Sequence, residues 1–215
     1  MNRRGFFSNL FNRRREGDPL FFGIQCVINV YGEDTLRAQL YNVINQQMPT
    51  ESPGEKFMFY KRITAVLREN IHFFEYGHWD YITDADDATA EFDDWVAGIE
   101  ATAATAPEEL GREVDEAYRM SSEKDYVVVT LAFILEYTPS LTQFMEMVEG
   151  ITEDDYFTPS GFQTLIDAVN YIDFDYSIGD AVFIMPGNDQ DGFSWSDMRS
   201  EGWDYLKPIM GTIGL

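Results

Sequence analysis

A continuous apolar stretch, Asp125–Tyr137 (DYVVVTLAFILEY), constrains the fold more than any other part of the chain. Its residues Tyr126–Leu135 show no alternation of polar and apolar side chains. A strand with one face in water alternates, whereas a strand that is covered on both faces is apolar throughout. The run is also about half the length that a helix needs to cross a bilayer. We therefore expect an interior strand of a sheet that is covered on both faces.

Two further strands are predicted, one before and one after this run. Leu20–Tyr31 alternates, with Cys26 on its more apolar face and Gln25 on the other, so its second face is expected to be less buried. Asp180–Met185 is a short apolar run that is closed by Pro186. About three strands are therefore expected in the sheet.

Helical patterns fill the segments between these strands. The clearest begins at Ser52, a good N-cap, with Pro53 in the first turn and Glu55 completing a capping box. Apolar residues at helical spacing continue it to Gly77, where the helix is expected to stop, and His78–Tyr81 is expected to be a loop or a short extended piece. Other helices are expected at 32–45, at 86–105, from Pro107 to 120, from 140 to about 150, and at 160–171 behind Thr158-Pro159.

This order of elements predicts an α/β fold, with α+β as the alternative. We expect a small sheet of about three strands around a buried central strand, covered by several helices. Residues 1–18 are predicted to be a basic amphipathic arm, and residues 19–215 a single domain with an irregular, aromatic C-terminal tail. One helical turn is expected in this tail, around Ser196–Glu201.

The charge of the chain argues against some classes of partner. Its 38 acidic and 15 basic side chains give a net charge of −23. Because the first fifteen residues hold five arginines and no acid, residues 16–215 hold 38 acidic and 10 basic side chains, a net of −28. Such a body repels nucleic acid and anionic lipid, so nucleic-acid binding is not expected. The same excess of acid is also typical of proteins adapted to high salt.

The arm has the composition of a recruitment segment. Its apolar side chains share one face of a helix and arginines flank them, a pattern typical of interfacial helices. We expect it to contact an anionic membrane surface or a protein partner; the alternatives are that it folds back onto the acidic body or stays disordered. No signal peptide or membrane-spanning stretch is recognised, so the expected location is the cytoplasm or the cytoplasmic face of a membrane. The arm candidates are Arg3, Arg4, Phe6, Phe7, Leu10, Phe11, Arg13, Arg14 and Arg15.

Five segments carry a resemblance to a known family. They are Gly23–Ile44 (an opening strand and helix), Phe57–Tyr81 (a helix with Val66-Leu67-Arg68, then His-Trp-Asp-Tyr), Ala90-Glu91-Phe92, Asp125–Leu131 (a Tyr-x-Val-Val-Thr-like strand) and Phe162–Pro186 (a last helix and strand). In this order they resemble the uncharacterised domain of fluctuating-light-acclimation proteins from chloroplasts and cyanobacteria. The resemblance implies a domain that works at or near photosynthetic membranes during acclimation to changing light. It brings no known reaction, cofactor or ligand.

Motifs for catalysis or metal binding are sparse. Asp189 and Asp191 lie in a Gly-Asn-Asp-Gln-Asp-Gly loop that echoes part of a calcium site, although no glutamate stands where an EF-hand needs one. They are weak metal candidates, and an Asx-rich turn is the alternative. The acidic stretch 84–94 is interpreted as a solvated helix start. His72 and His78 are six residues apart and lack the spacing of zinc ligands.

Three functions stay open from the sequence. The preferred hypothesis is a non-enzymatic accessory or regulatory protein that acts through protein contacts near a membrane. One alternative is an enzyme or binding protein with a weak divalent-metal site in an acidic loop, and another is an acidic interaction protein of a salt-adapted organism. Cys26, the only cysteine, is expected to be a buried, unreactive thiol. No catalytic residue and no cofactor is predicted.

Overall fold

The structure, a computed structural model, describes residues 15–30, 34–45, 51–110, 125–186, 192–194, 197–199 and 202–211. Five α-helices lie in these ranges: α1 (Asp34–Asn45), α2 (Pro53–Glu69), α3 (Ala85–Leu110), α4 (Thr142–Glu149) and α5 (Pro159–Val169). Five strands accompany them: β1 (Pro19–Asn29), β2 (Phe74–Ile82), β3 (Tyr126–Glu136), β4 (Ser177–Met185) and β5 (Lys207–Pro208).

The strands form one sheet in the order β4-β3-β1-β2-β5, and every neighbouring pair is antiparallel. The mixed α and β content is as predicted, and the antiparallel pairing corresponds to the α+β alternative. The predicted number of about three strands is wrong, since the sheet has five. The sequence pattern misses β2 and the two-residue β5, which lies in the tail that is predicted to be irregular. The helical turn expected in this tail is a 3₁₀ turn at Asp197–Arg199.

The apolar run forms an interior strand, as predicted. β1 and β4 flank β3, whose residues Tyr126–Leu135 are all buried. β1 occupies the middle of the sheet and is buried on both faces, with Gln25 only 4% exposed. The expectation of a less buried second face on β1 is therefore wrong, because α3 and the C-terminal residues cover that face.

The start of α2 is confirmed, but its end is not. The Glu55 N–H donates to Ser52 Oγ at 3.3 Å, and the Ser52 N–H donates to the Glu55 carboxylate at 3.0 Å, which completes the capping box. α2 ends at Glu69, and Gly77 lies in the middle of β2. Here the ring of Phe162 occupies the space that a Cβ would need, so Gly77 permits close packing and does not stop a helix.

The acidic segment after β2 forms one helix where two are predicted. α3 runs from Ala85 through Pro107 to Leu110, so Pro107 does not begin a separate helix, and residues 111–120 lie outside the described ranges. α4 and α5 agree with the predicted segments, and Thr158 caps α5 by accepting from the Gly161 N–H at 3.0 Å. None of the helices within the described ranges is long and apolar enough to cross a bilayer.

Helices cover both faces of the sheet. On the first face, α1, α2, α4 and α5 pack against alternate residues of β1 and β3, such as Phe22 and Phe133. On the second face, α3 and the C-terminal residues cover the remaining alternate residues of β1 and β3, such as Phe21 and Val128. α3 approaches this face closely at a glycine, where the ring of Trp95 lies over Gly23.

Candidate functional site

A polar stripe crosses the second face of the sheet at its centre. The strand register places His78, Gln25 and Thr130 side by side on β2, β1 and β3. Gln25 Nε2 donates to Thr130 Oγ1 at 3.0 Å, and the Tyr205 hydroxyl donates to Gln25 Oε1 at 2.5 Å. Because Gln25 and Thr130 are buried, these hydrogen bonds offset their desolvation. They also attach the C-terminal residues to the middle of the sheet.

His78 lies at one end of this stripe, between two aromatic rings. Its ring stacks on Trp95 with 5.6 Å between centroids and meets Tyr205 edge-on at 5.3 Å. Its Nε2 lies 3.2 Å from Asp80 Oδ2, since residues two apart on a strand point to the same face. The side chains of His78 and Asp80 keep 24% and 25% of their exposure, so this pair is within reach of solvent.

α3 brings a second carboxylate to the same place. Trp95 Nε1 donates to Glu91 Oε1 at 3.0 Å, across one turn of the helix. Burial raises the pKa of Glu91 and the charge of Asp80 raises it further, while the hydrogen bond from Trp95 lowers it. We refer to His78, Asp80, Glu91, Trp95 and Tyr205 as the second-face cluster.

The second-face cluster contains proton acceptors, but aromatic rings pack against its imidazole on two sides. An imidazole beside carboxylates is the chemistry that a general base requires, which is what an enzyme hypothesis needs. Trp95 and Tyr205 nevertheless contact the ring of His78 on two sides. In the part of the chain that the structure describes, no group of three or more His, Cys, Asp and Glu residues could hold a metal ion. The geometry therefore suits the anchoring of α3 and the C-terminal residues better than it suits catalysis.

The outer edge of β4 is a different kind of candidate, a strand edge that is partly exposed up to Phe183 and buried at Ile184 and Met185. β4 has β3 on one side and, among the described residues, no strand on the other. Gly179–Phe183 are partly exposed, whereas the residues of β3 opposite them are buried. Ile178 is 53% exposed and is the extra residue of a bulge, because Ser177 and Gly179 pair with consecutive residues of β3.

The only charged side chain of β4 is neutralised by the helix that covers it. Asp180 forms an ion pair with Lys56 of α2 and accepts a hydrogen bond from the Tyr60 hydroxyl at 2.9 Å. Burial raises the pKa of Tyr60, and the charge of Asp180 raises it further, so the phenol keeps its proton and continues to donate. The strand therefore presents no net charge at its outer edge.

Most of the predicted arm lies outside the described residues. Residues 15–18 are the exception: the Arg15 N–H donates to Asp18 Oδ2 at 2.8 Å, while the Gly17 N–H donates to the Tyr137 carbonyl at 2.9 Å. The arm therefore joins the body beside the end of β3. The arm residues Arg3, Arg4, Phe6, Phe7, Leu10, Phe11, Arg13 and Arg14, and the metal candidates Asp189 and Asp191, lie outside the described ranges.

Two other interpretations agree with the structure. The acidic stretch is a helix start, where Asp84 Oδ1 accepts from the N–H groups of Asp86 and Asp87 at 3.2 and 3.3 Å. Cys26 is buried in β1, and burial raises the pKa of its thiol. Because the thiolate is the reactive form, this cysteine is unsuited to nucleophilic chemistry.

Three of the polar contacts above are missing from the sequence-based candidates. The contact between His78 and Asp80 is detectable from the sequence. One polar residue lies on each side of Trp79, and this alternation of polar and apolar residues is typical of a strand. The bond between Gln25 and Tyr205 joins residues 180 apart, and the ion pair of Asp180 reaches 124 residues back. No local pattern signals contacts of that range.

No family model, curated protein or solved structure matches the chain. The resemblance to the fluctuating-light-acclimation domain therefore stays a prediction. The grounds for a functional proposal are the fold and the two candidate surfaces.

Proposed function

We propose that the protein is a non-enzymatic accessory or regulatory protein that acts through protein contacts near a membrane, with the outer edge of β4 as its contact surface. The difference between the two edges of the sheet supports this proposal. On the opposite side β5 is two residues long, consists of Lys207 and Pro208, residue types that discourage strand pairing, and pairs only with Tyr76 and Gly77 of β2. The β4 edge is nine residues long and contains no Lys, Arg or Pro.

Natural proteins usually protect a long apolar edge unless another chain pairs with it. The bulge at Ile178 distorts only the beginning of β4, and the inward charge of Asp180 is neutralised by Lys56. Gly179–Phe183, the partly exposed part of the strand, is therefore the part that can offer backbone donors and acceptors to an added strand. In this mode of recognition the backbone hydrogen bonds provide affinity, and alternate side chains provide selectivity.

A charge placed beside this edge tests the contact surface. Ile178→Lys should be tolerated by the fold because the side chain is 53% exposed, but it should disfavour an added strand that covers it. Met210→Lys, at a position that is 74% exposed beside the opposite edge, is the matched control. From solubilised native membranes, wild type and Met210→Lys should retain the same protein, and Ile178→Lys should lose most of it. Equal retention by all three proteins would refute the β4 surface.

Membrane recruitment is assigned to the arm. Residues 1–15 carry five arginines, each contributing about 1 kcal/mol near an anionic leaflet, while the −28 charge of the body opposes binding. Full-length protein should co-sediment with phosphatidylserine-containing vesicles at low salt. Deletion of residues 1–15 should abolish this binding and leave the melting temperature nearly unchanged. Binding by the truncated protein, or none by the intact protein, would exclude recruitment by the arm.

A further inference from the structure

The ring of His78 lies where three parts of the second face meet. It belongs to β2, it stacks on Trp95 of α3 with 5.6 Å between centroids, and Tyr205 of the C-terminal residues 202–211 meets it edge-on at 5.3 Å. The side chain keeps 24% of its exposure, so protons can reach it from solvent. A change of charge on this one ring therefore acts on β2, on α3 and on the C-terminal residues together.

Two partly buried carboxylates lie close to this ring. Asp80 Oδ2 of β2 is 3.2 Å from His78 Nε2. Glu91 of α3 interacts electrostatically with both His78 and Asp80. Within the described ranges, neither carboxylate forms an ion pair with a lysine or an arginine. A proton on the imidazole therefore supplies the positive charge that this part of the second face lacks.

The other described groups around the ring are acidic, uncharged or directed away from it. Asp94 of α3 and Asp204 of the C-terminal residues are exposed carboxylates. Tyr205 keeps its proton at neutral pH, because burial raises its pKa to about 12. Lys207 of β5 pairs with the residue that precedes His78, so its side chain points to the first face of the sheet.

We infer that the second-face cluster is a pH-sensitive switch that holds α3 and the C-terminal residues on β2 more tightly when His78 is protonated. When the ring is neutral, the ionised carboxylates of Asp80 and Glu91 repel one another. When the ring is protonated, its charge attracts both carboxylates, and the face of Trp95 adds a cation–π interaction. Imidazole is the side chain suited to such a switch, because its charge commonly changes between about pH 5 and pH 8.

Glu91 acts in the same direction as His78. Because the pKa of Glu91 is raised, its proton stabilises the folded cluster, and this contribution is lost as pH rises through the folded pKa. Proton uptake by either group therefore tightens the contact between α3 and β2. Opening of the switch would separate the Tyr205 hydroxyl from Gln25 and release β5 from β2. This response concerns the second face of the sheet and does not depend on the β4 edge.

Amide hydrogen exchange of the full chain tests the switch. The Ile209 N–H donates to the Glu75 carbonyl at 2.8 Å and reports whether the C-terminal residues are attached to β2. After correction for intrinsic exchange, its protection should fall by about two- to fivefold from about pH 5.5 to about pH 8, as loss of a cation–π contact requires. The Gly150 N–H, which donates to the Glu146 carbonyl at the end of α4 on the first face, should not change.

Two histidine variants separate the switch from a general effect of pH. His78→Phe keeps an aromatic ring against Trp95 and Tyr205 but cannot take up a proton, so it should lose most of the pH dependence. His72→Phe removes the other histidine of the chain, which is exposed, and should behave as wild type does. Wild-type protection of Ile209 that is constant with pH, or equal pH dependence in His78→Phe, would overturn the inference. The first of these outcomes needs no variant, so the test holds even if His78→Phe fails to fold.

Discussion

Gly23→Ala tests how closely α3 is seated on the sheet. A Cβ at this position would lie 2.7 Å from Phe21 Cζ and 2.8 and 2.9 Å from two carbons of the Trp95 ring. Carbon atoms in contact prefer about 3.5–4.0 Å, so the rings must move by close to 1 Å. Phe21 is fully buried, and overpacking of this kind costs about 1–3 kcal/mol. For a chain of this size the melting temperature should fall by about 2–12 °C.

The same substitution elsewhere in this layer provides the control. Gly98 lies in α3 with no atom within 4 Å of an added Cβ, so Gly98→Ala should stabilise the helix by about 0.5–1 kcal/mol. Both variants are measured by urea unfolding, with tryptophan fluorescence as the signal. The two changes should have opposite signs. Gly23→Ala that is as stable as wild type would refute the close seating of Trp95 and, with it, the enclosure of His78.

Three further predictions concern charge. Val129 is 1% exposed, so Val129→Asp would bury an unpaired carboxylate. It should cost several kcal/mol of a free energy of unfolding that is about 5–15 kcal/mol in total. A folded variant with an unchanged melting temperature would contradict the interior position of β3. Glu91 has a raised pKa, so its proton stabilises the fold at low pH and that contribution is lost as pH rises through the folded pKa. Glu91→Gln keeps an acceptor for Trp95 and should raise the melting temperature at about pH 7 but hardly change it at about pH 3. A decrease at neutral pH would count against the burial of Glu91 and its repulsion from Asp80 as costs to the fold. At low protein concentration, about 1 M potassium chloride should raise the melting temperature above that in about 0.05 M, and equal values would show that self-repulsion is unimportant.

Local patterns predict the elements whose causes are local. The run from Tyr126 to Leu135 is apolar on both faces because both faces are covered, and Ser52 begins α2 through a capping box that spans four residues. β2 is missed because Gly77 resembles a helix stop, whereas its role is to admit the ring of Phe162 from α5. A contact between residues so far apart leaves no periodic trace in the sequence.

The same limit explains why the candidate surfaces are hard to find from the sequence. Gln25 has the position of a solvent-facing residue on β1, and the hydroxyls of Thr130 and Tyr205, both distant in sequence, form the hydrogen bonds that offset the cost of burying it. Similarly, the charge that Asp180 gives to β4 is neutralised by an ion pair with Lys56 in the folded protein. Whether a polar residue in a strand faces water or a partner depends on the tertiary fold.

The proposed function of the β4 edge gives the acidity of the body a role. An exposed apolar edge promotes indiscriminate strand pairing, and natural proteins usually place charge on the edge itself to prevent it. Here the edge has no net charge, and under the proposed function the protection would come from the repulsion between whole bodies that carry −28 on residues 16–215. Repulsion of this kind acts over about 10 Å at 0.1 M salt and is screened at higher ionic strength. Strand pairing through β4 should therefore increase as the salt concentration rises. An edge strand that carried a lysine of its own would depend less on salt.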